Sequence, residues 1–222
     1  MLIFGYSFAG YSQEGLQCPK RIAVLSDSTL AEISKEILLE VYKDLGCTTA
    51  INKFPGRRGI ASFNNGSVDG EMYRIKGVEP RYSRNFVRSE LPLFTLTGSI
   101  WLHPDKGMHE SLPTGYVLGL IWNEKYMAGR RGKVFKSLDE VFKAYEEGEL
   151  GGFLCSDLAV QHRISNNEFA KPPYLGERIM AAPLYHYLGS EFTPFMELFS
   201  SYLRSHTPFA HLGPSQTIEM TN

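Results

Sequence analysis

The feature that most narrows the fold is an alternation of short β-rich runs with stretches of helical period. "RIAVLSD" (21–27) reads as a strand, and Thr29 and Glu32 follow it with the spacing of a helix-capping box. Ile33, Ile37, Leu38, Val41, Tyr42 and Leu45 then keep helical period until Gly46 ends the helix. "TTAINKF" (48–54) returns as a strand, Pro55 opens a short helix through Phe63, and "SVDGEMY" (67–73) is a third strand. A β-α-β-α-β order predicts a parallel sheet with flanking helices.

The pattern then recurs. "YVLGLIW" (116–122) reads as a strand, and Ser137 and Glu140 form a second capping box. Leu138, Val141, Phe142 and Tyr145 give the next helix an apolar face, and "EEGELGGFLCSD" (146–157) closes it and starts another strand. "NNGSVDGEMY" and "EEGELGGFLC" share a layout of helix end, glycine, apolar residue, glycine and strand, which predicts two α/β lobes of similar plan. "ERIMAAPLYHYL" (177–188) reads as a strand. "TPFMELFSSYLRSH" (193–206) reads as a helix with Phe195, Met196, Phe199 and Leu203 on one face. No low-complexity linker separates the lobes, so short crossing strands must join them, and "ELPLFTLTG" (90–98) and "IMAAPLYHY" (179–187) are the candidates. The expected division is lobe one over 20–95 plus 185–222 and lobe two over 96–184, with 1–19 an irregular arm or a signal remnant.

At 222 residues and 43% hydrophobic content the chain can bury a core of this size. A net charge of −1 provides no global field for nucleic acid, and no apolar run approaches the roughly 18 residues that span a bilayer. Cys18, Cys47 and Cys155 lack metal-ligand spacing. Cys18 precedes the first strand and Cys47 ends the first helix, which leaves both a disulfide and two unpaired thiols open. Cys155 reads as a small buried hydrophobe. His103 and His109 flank the loop "HPDKGMHE" without ligand spacing, and His186, alternating with apolar residues, reads as a strand residue facing solvent or a partner. The sequence contains no G-x-S-x-G, H-E-x-x-H, Walker A or strand-linked G-x-G-x-x-G, so it asks for no enzyme, metal or cofactor. Only Glu124 or Asp27 is placed to act as an acid or base in a cleft.

The remaining signal is a run of cations, Arg74, Lys76, Arg81, Arg84 and Arg88. Arg84 and Arg88 read as solvated loop residues. Arg81 stands just before a crossing strand, at the carboxyl edge of a parallel sheet, where α/β proteins bind ligands. A guanidinium there is suited to hold a carboxylate by two parallel hydrogen bonds.

In order and spacing, "VYKDLG" (41–46), "FPGRRGIASFNNGSVDGEMYRI" (54–75), "PRYSRNFVRSELPL" (80–93), "EEGELGGFLCSDLAV" (146–160) and "PLYHYLGSEFTPFMELFSSYL" (183–203) resemble bacterial extracellular solute-binding proteins of family 3. The resemblance implies the two-lobed periplasmic-binding-protein type II fold and Venus-flytrap closure on a small polar, carboxylate-bearing solute. It also implies periplasmic residence, a monomer, and delivery to an ABC permease or, in the alternative, a sensing role. A dehydratase-like enzyme on the same scaffold is the third reading. It places Arg81 on the ligand carboxylate and Asp157 on the ligand ammonium, although Asp157 also suits a helix N-cap. Arg58 and Arg74 would add positive charge to the cleft. Three departures from the family stand beside this. The loop after the first strand, which begins at Ser26, is cut to "SDST"; Arg74 and Lys76 replace small hydroxyl residues; and Trp122, Asn123 and Glu124 occupy the start of the second-lobe helix. Ser26, Trp122 and Asn123 join the candidate ligand contacts on that basis.

Overall fold

The computed structural model describes residues 16–26, 29–55, 57–106 and 112–212. Asp27, His109 and most of the N-terminal arm lie outside that set. The first α/β unit comprises β1 (Arg21–Leu25), α1 (Thr29–Asp44), β2 (Ala50–Phe54), α2 (Arg58–Asn64) and β3 (Gly70–Arg74). Strand β1 runs parallel to both neighbours, with Ile22 beside Ile51 of β2 and Gly70 of β3. Its centre, Ile22-Ala23-Val24, is buried without alternation, as expected of a parallel strand covered on both faces. A 3-10 turn over 76–81 and the short β4 (Phe86–Arg88) lead into β5 (Phe94–Leu102).

The second unit repeats the plan with β6 (Thr114–Val117), α3 (Ile121–Met127), β7 (Gly132–Phe135), α4 (Leu138–Glu146), β8 (Gly152–Ser156) and α5 (Asp157–Ser165). The chain then returns through the long β9 (Tyr174–Gly189) to α6 (Thr193–His206). The strand order is β2-β1-β3-β9-β5-β8-β6-β7, with β4 also paired to β9. Strands β5 and β9 are antiparallel partners from Phe94 opposite Leu184 to Leu102 opposite Tyr174. The far end of β9 pairs with β3 and β4 of the first unit. The two crossing segments read from the sequence are therefore these two strands.

Each lobe has its own main hydrophobic core. Ile22, Leu38, Tyr42 and Met72 pack with Leu184, Leu188, Phe195 and Phe199, so β9 and α6 complete the first lobe. Trp101, Val141, Tyr145, Phe153 and Val160 form the core of the second. The internal repeat is visible in the backbone. Gly66 and Gly148 end their helices at φ +77° and +73°, a conformation side-chain-bearing residues avoid. Gly70 and Gly152 then let a neighbouring strand approach, because a Cβ there would lie 2.3 Å from the Tyr187 carbonyl oxygen and 2.6 Å from that of Trp101. The Ser137 cap of α4 is formed, its hydroxyl accepting the Glu140 N–H at 3.3 Å, while the Glu140 carboxylate reaches one residue past the N-cap to accept the Lys136 N–H at 2.9 Å.

Three local readings change or resolve. The strand expected over 116–122 stops at Val117, because Gly119 turns the chain at φ +90° and α3 begins at Ile121. Trp122 and Asn123 are thus helical. His186 does not face solvent or a partner: it is fully buried, its Nε2 accepting from the Tyr42 hydroxyl at 2.7 Å. Its Nδ1 donates to the Glu71 and Met72 carbonyls at 2.9 and 3.1 Å. Cys18 and Cys47 form a disulfide with Cα atoms 5.5 Å apart, and Cys155 is a free buried thiol. Burial pushes that thiol's pKa up to about 12, which keeps it inert.

Candidate functional site

A cavity of about 220 Å³ lies between the lobes. The first lobe contributes Leu25 and Ser26 at the end of β1, Pro55 and Arg57 after β2, Tyr73 and Arg74 at the end of β3, and Val78 and Arg81 on the 3-10 turn. The second contributes Val117–Trp122 from the end of β6 onward, Lys136–Leu138 after β7, and Cys155 and Ser156 at the end of β8. Every one of these segments sits at the carboxyl end of a parallel strand, the edge at which α/β sheets bind ligands.

Arg81 lines this cavity. The Asn64 side chain fixes its backbone from both sides, Nδ2 donating to the Arg81 carbonyl at 2.9 Å and Oδ1 accepting the Ser83 N–H at 3.0 Å. Among the described residues its guanidinium has no hydrogen-bonding or ionic partner, so its donors remain available.

Arg74 also lines the cavity, but its charge is already answered. Nε and Nη2 donate to one oxygen of Glu71 at 3.0 and 2.7 Å, and the other oxygen accepts from the Tyr82 hydroxyl. Glu71 is fully buried, so this arrangement is what makes its charge tolerable. Burial opposes the Arg74 charge, and the neighbouring Glu71 carboxylate outweighs it and raises the pKa. Burial and then the same carboxylate hold the Tyr82 hydroxyl well above the usual phenol range.

Arg58, the first residue of α2, is exposed and does not line the cavity; its neighbour Arg57 does. The Arg57 Nη2 lies 3.9 Å from Glu124 Oε2 on the opposite lobe, while Glu124 Oε1 accepts the Gly119 N–H at 2.8 Å. Glu124 is therefore engaged at both oxygens. Ser26 lines the cavity with its N–H donated to the Phe54 carbonyl at 2.9 Å. Trp122 lines it too, with the ring against Gly98, where a Cβ would come within 2.9 Å of Trp122 Cη2.

Asn123 and Asp157 are placed differently. Asn123 is fully buried and does not line the cavity, with both amide atoms unpartnered among the described residues. Asp157 opens α5 next to the cavity-lining Ser156 but lies outside the lining. It is 5% exposed, with Oδ2 3.5 Å from Arg178 Nε and Oδ1 unpartnered.

The two outer cations are structural rather than solvated. Arg84 donates to the Phe63 and Val68 carbonyls at 3.2 and 2.9 Å, pairs with Glu191 and lies over the Phe63 ring. Arg88 pairs with Glu79 and stacks on Tyr185, which Lys76 also faces. Sequence reasoning missed Arg57 and Lys136. The first is one residue from a named candidate, and the second immediately precedes the capping box that starts α4. Among the described residues no group of histidines, cysteines or carboxylates could hold a metal ion, and no helix is long and apolar enough to cross a membrane.

No family model matches the sequence, and no curated protein does. Solved structures do match. The glutamate-complexed ligand-binding core of GluR0 from Nostoc punctiforme aligns at a TM-score of 0.66 and 14% identity, over 86% of this chain and 95% of that one. A putative L-cystine ABC transporter protein from Listeria monocytogenes aligns at 0.64 and 14% identity, over 85% and 90%. The periplasmic VFT2 domain of Bordetella pertussis BvgS aligns at 0.62 and 15%, over 84% and 87%. With the strand order, the two crossings and the interlobe cavity, this similarity shows that the chain has the two-lobed type II periplasmic-binding-protein fold.

Proposed function

We propose that the chain is a solute-binding protein that captures a small carboxylate-bearing molecule between its lobes and closes on it. The observation that carries this is Arg81: a backbone-clamped guanidinium at the cavity wall with no partner of its own among the described residues. A carboxylate would meet it in a two-bond geometry that lysine cannot reproduce. Among the structures it resembles are a putative L-cystine ABC transporter protein and a periplasmic domain. The disulfide between Cys18 and Cys47 suits an oxidising compartment outside the cytoplasm. Delivery to an ABC permease in that compartment is the reading we favour.

Calorimetry on a panel of amino acids, dicarboxylates and simple monocarboxylates tests it. Losing one partner of a buried charge pair costs about 2–5 kcal/mol, so Arg81→Ala should weaken binding at least about 30-fold. Arg88→Ala, which touches Glu79 and Tyr185 rather than the cavity, should leave affinity nearly unchanged. Equal affinity for wild type and Arg81→Ala would sink the proposal.

A further inference from the structure

We infer that the solute is an anion with an apolar body and no ammonium group, held by Arg81 from one lobe and Lys136 from the other. The inference rests on the binding role above and narrows its chemistry.

The first argument is the walls. Leu25, Ile60 and Val78 face the cavity from the first lobe, and Leu118, Ile121 and Trp122 from the second. Such a surface gains by covering hydrocarbon and loses by covering a polar side chain that finds no partner. The volume of about 220 Å³ exceeds the roughly 150 Å³ apolar cavity that accepts benzene. One ring or one branched chain with a short carboxylate arm would fit.

Charge is the second argument. Four cations line the cavity, Arg57, Arg74, Arg81 and Lys136. Glu71 answers Arg74, and Glu124 sits 3.9 Å from Arg57. Arg81 and Lys136 remain, one on each lobe, with no ionic partner among the described residues. An anion drawn between them meets charge from both sides, and closing the lobes on it removes competing water. An ammonium in the same place meets two like charges and loses its hydration.

The third argument is Asp157. As the carboxylate expected to receive a ligand ammonium, it is instead buried outside the cavity lining, with Oδ2 3.5 Å from Arg178 and only Oδ1 unpartnered among the described residues. A zwitterion would therefore gain at its carboxylate and lose at its ammonium.

Matched probes separate these outcomes on the intact chain. Titration calorimetry compares 3-phenylpropionate with L-phenylalanine, and 4-methylpentanoate with L-leucine; each pair differs only in the ammonium group. Phenethylamine, which lacks the carboxylate, serves as the cationic control. At least one plain carboxylate should bind tenfold or more tightly than its amino-acid counterpart, and phenethylamine should not bind. Lys136→Ala, whose exposed side chain leaves the core intact, should weaken the better carboxylate at least fivefold with an unchanged unfolding midpoint. Binding of an amino acid as tightly as its matched carboxylate, or tighter, overturns the inference while leaving the binding role standing. Unchanged affinity in Lys136→Ala overturns the two-sided grip. Failure of every carboxylate, with or without an ammonium, overturns both the inference and the binding role.

Discussion

Burying Glu71 in the first lobe commits Arg74 and Tyr82 to it, since a lone carboxylate at 0% exposure would cost several kcal/mol. That commitment decides which cation is left to meet a ligand. Counting charges along 74–88 cannot reveal it, because the carboxylate that silences Arg74 lies three residues before that stretch, across an irregularity in the β3 ladder. His186 is the second residue whose role comes from burial. Burial lowers its pKa to about 4, from about 6.5 in an unfolded chain, against the two carbonyls that favour its proton. Above pH 6.5 it is neutral in both states and adds no pH dependence. Between 6.5 and 4 the unfolded chain takes up a proton that the folded chain refuses, so stability falls as pH falls, by roughly 3 kcal/mol in all. Urea unfolding at pH 7 and pH 5 should show about 2 kcal/mol of this loss in wild type. His186→Gln, which keeps an acceptor for Tyr42 and does not titrate, should show a slope smaller by about one proton. Equal slopes would mean that the ring is not kept neutral by its surroundings.

At the scale of elements, the glycines of the two strand entries do different work. At Gly66 no heavy atom lies within 4 Å of an added Cβ, and only φ +77° resists substitution, at about 1–2 kcal/mol. At Gly70 the added atom would strike the Tyr187 carbonyl at 2.3 Å and Leu188 Cδ2 at 2.5 Å, where β3 meets β9. A backbone oxygen in a strand ladder cannot swing aside, so Gly70→Ala should cost more than Gly66→Ala, by about 1–3 kcal/mol. Chemical denaturation of the two variants checks the order, and a smaller loss at Gly70 would show that the strands can part. These elements were legible because their signals are local: a helical period, a capping serine, a glycine after a helix. The run Tyr116–Trp122 was misread because seven mostly apolar residues fit a strand and a turn into a helix equally well. Gly119 was the available warning. The distinction between Arg57 and Arg58 was not legible, since it depends on where the first turn of α2 begins.

For the whole molecule, the consequential fact is that the covalent joins between the lobes are β5 and β9, paired with each other. Their ladder shifts register between Gly98 and Ser99 and again before Trp101, and such bulges bend a strand and weaken its pairing locally. Across the cavity the lobes touch through Arg57 and Glu124 at 3.9 Å, with side chains 62% and 36% exposed, and through Leu158 of α5, which packs against the first-lobe core. A pair of that kind contributes at most about 1 kcal/mol. The ion pair adds little to holding the lobes together, and a ligand that bridged Arg81 and Lys136 would have differential affinity for the closed arrangement, as a shift in population requires. A compact chain of 222 residues has a radius of gyration of about 17 Å. Small-angle scattering without solute should give a larger value, and saturation with the tightest carboxylate should bring it down toward that figure. Arg57→Ala should close in the same way, because the tie it removes is weak next to the ligand's own bridge. Arg81→Ala should stay open at the same solute concentration. A radius that does not change on saturation of the wild type would show that binding and lobe motion are not coupled in this protein.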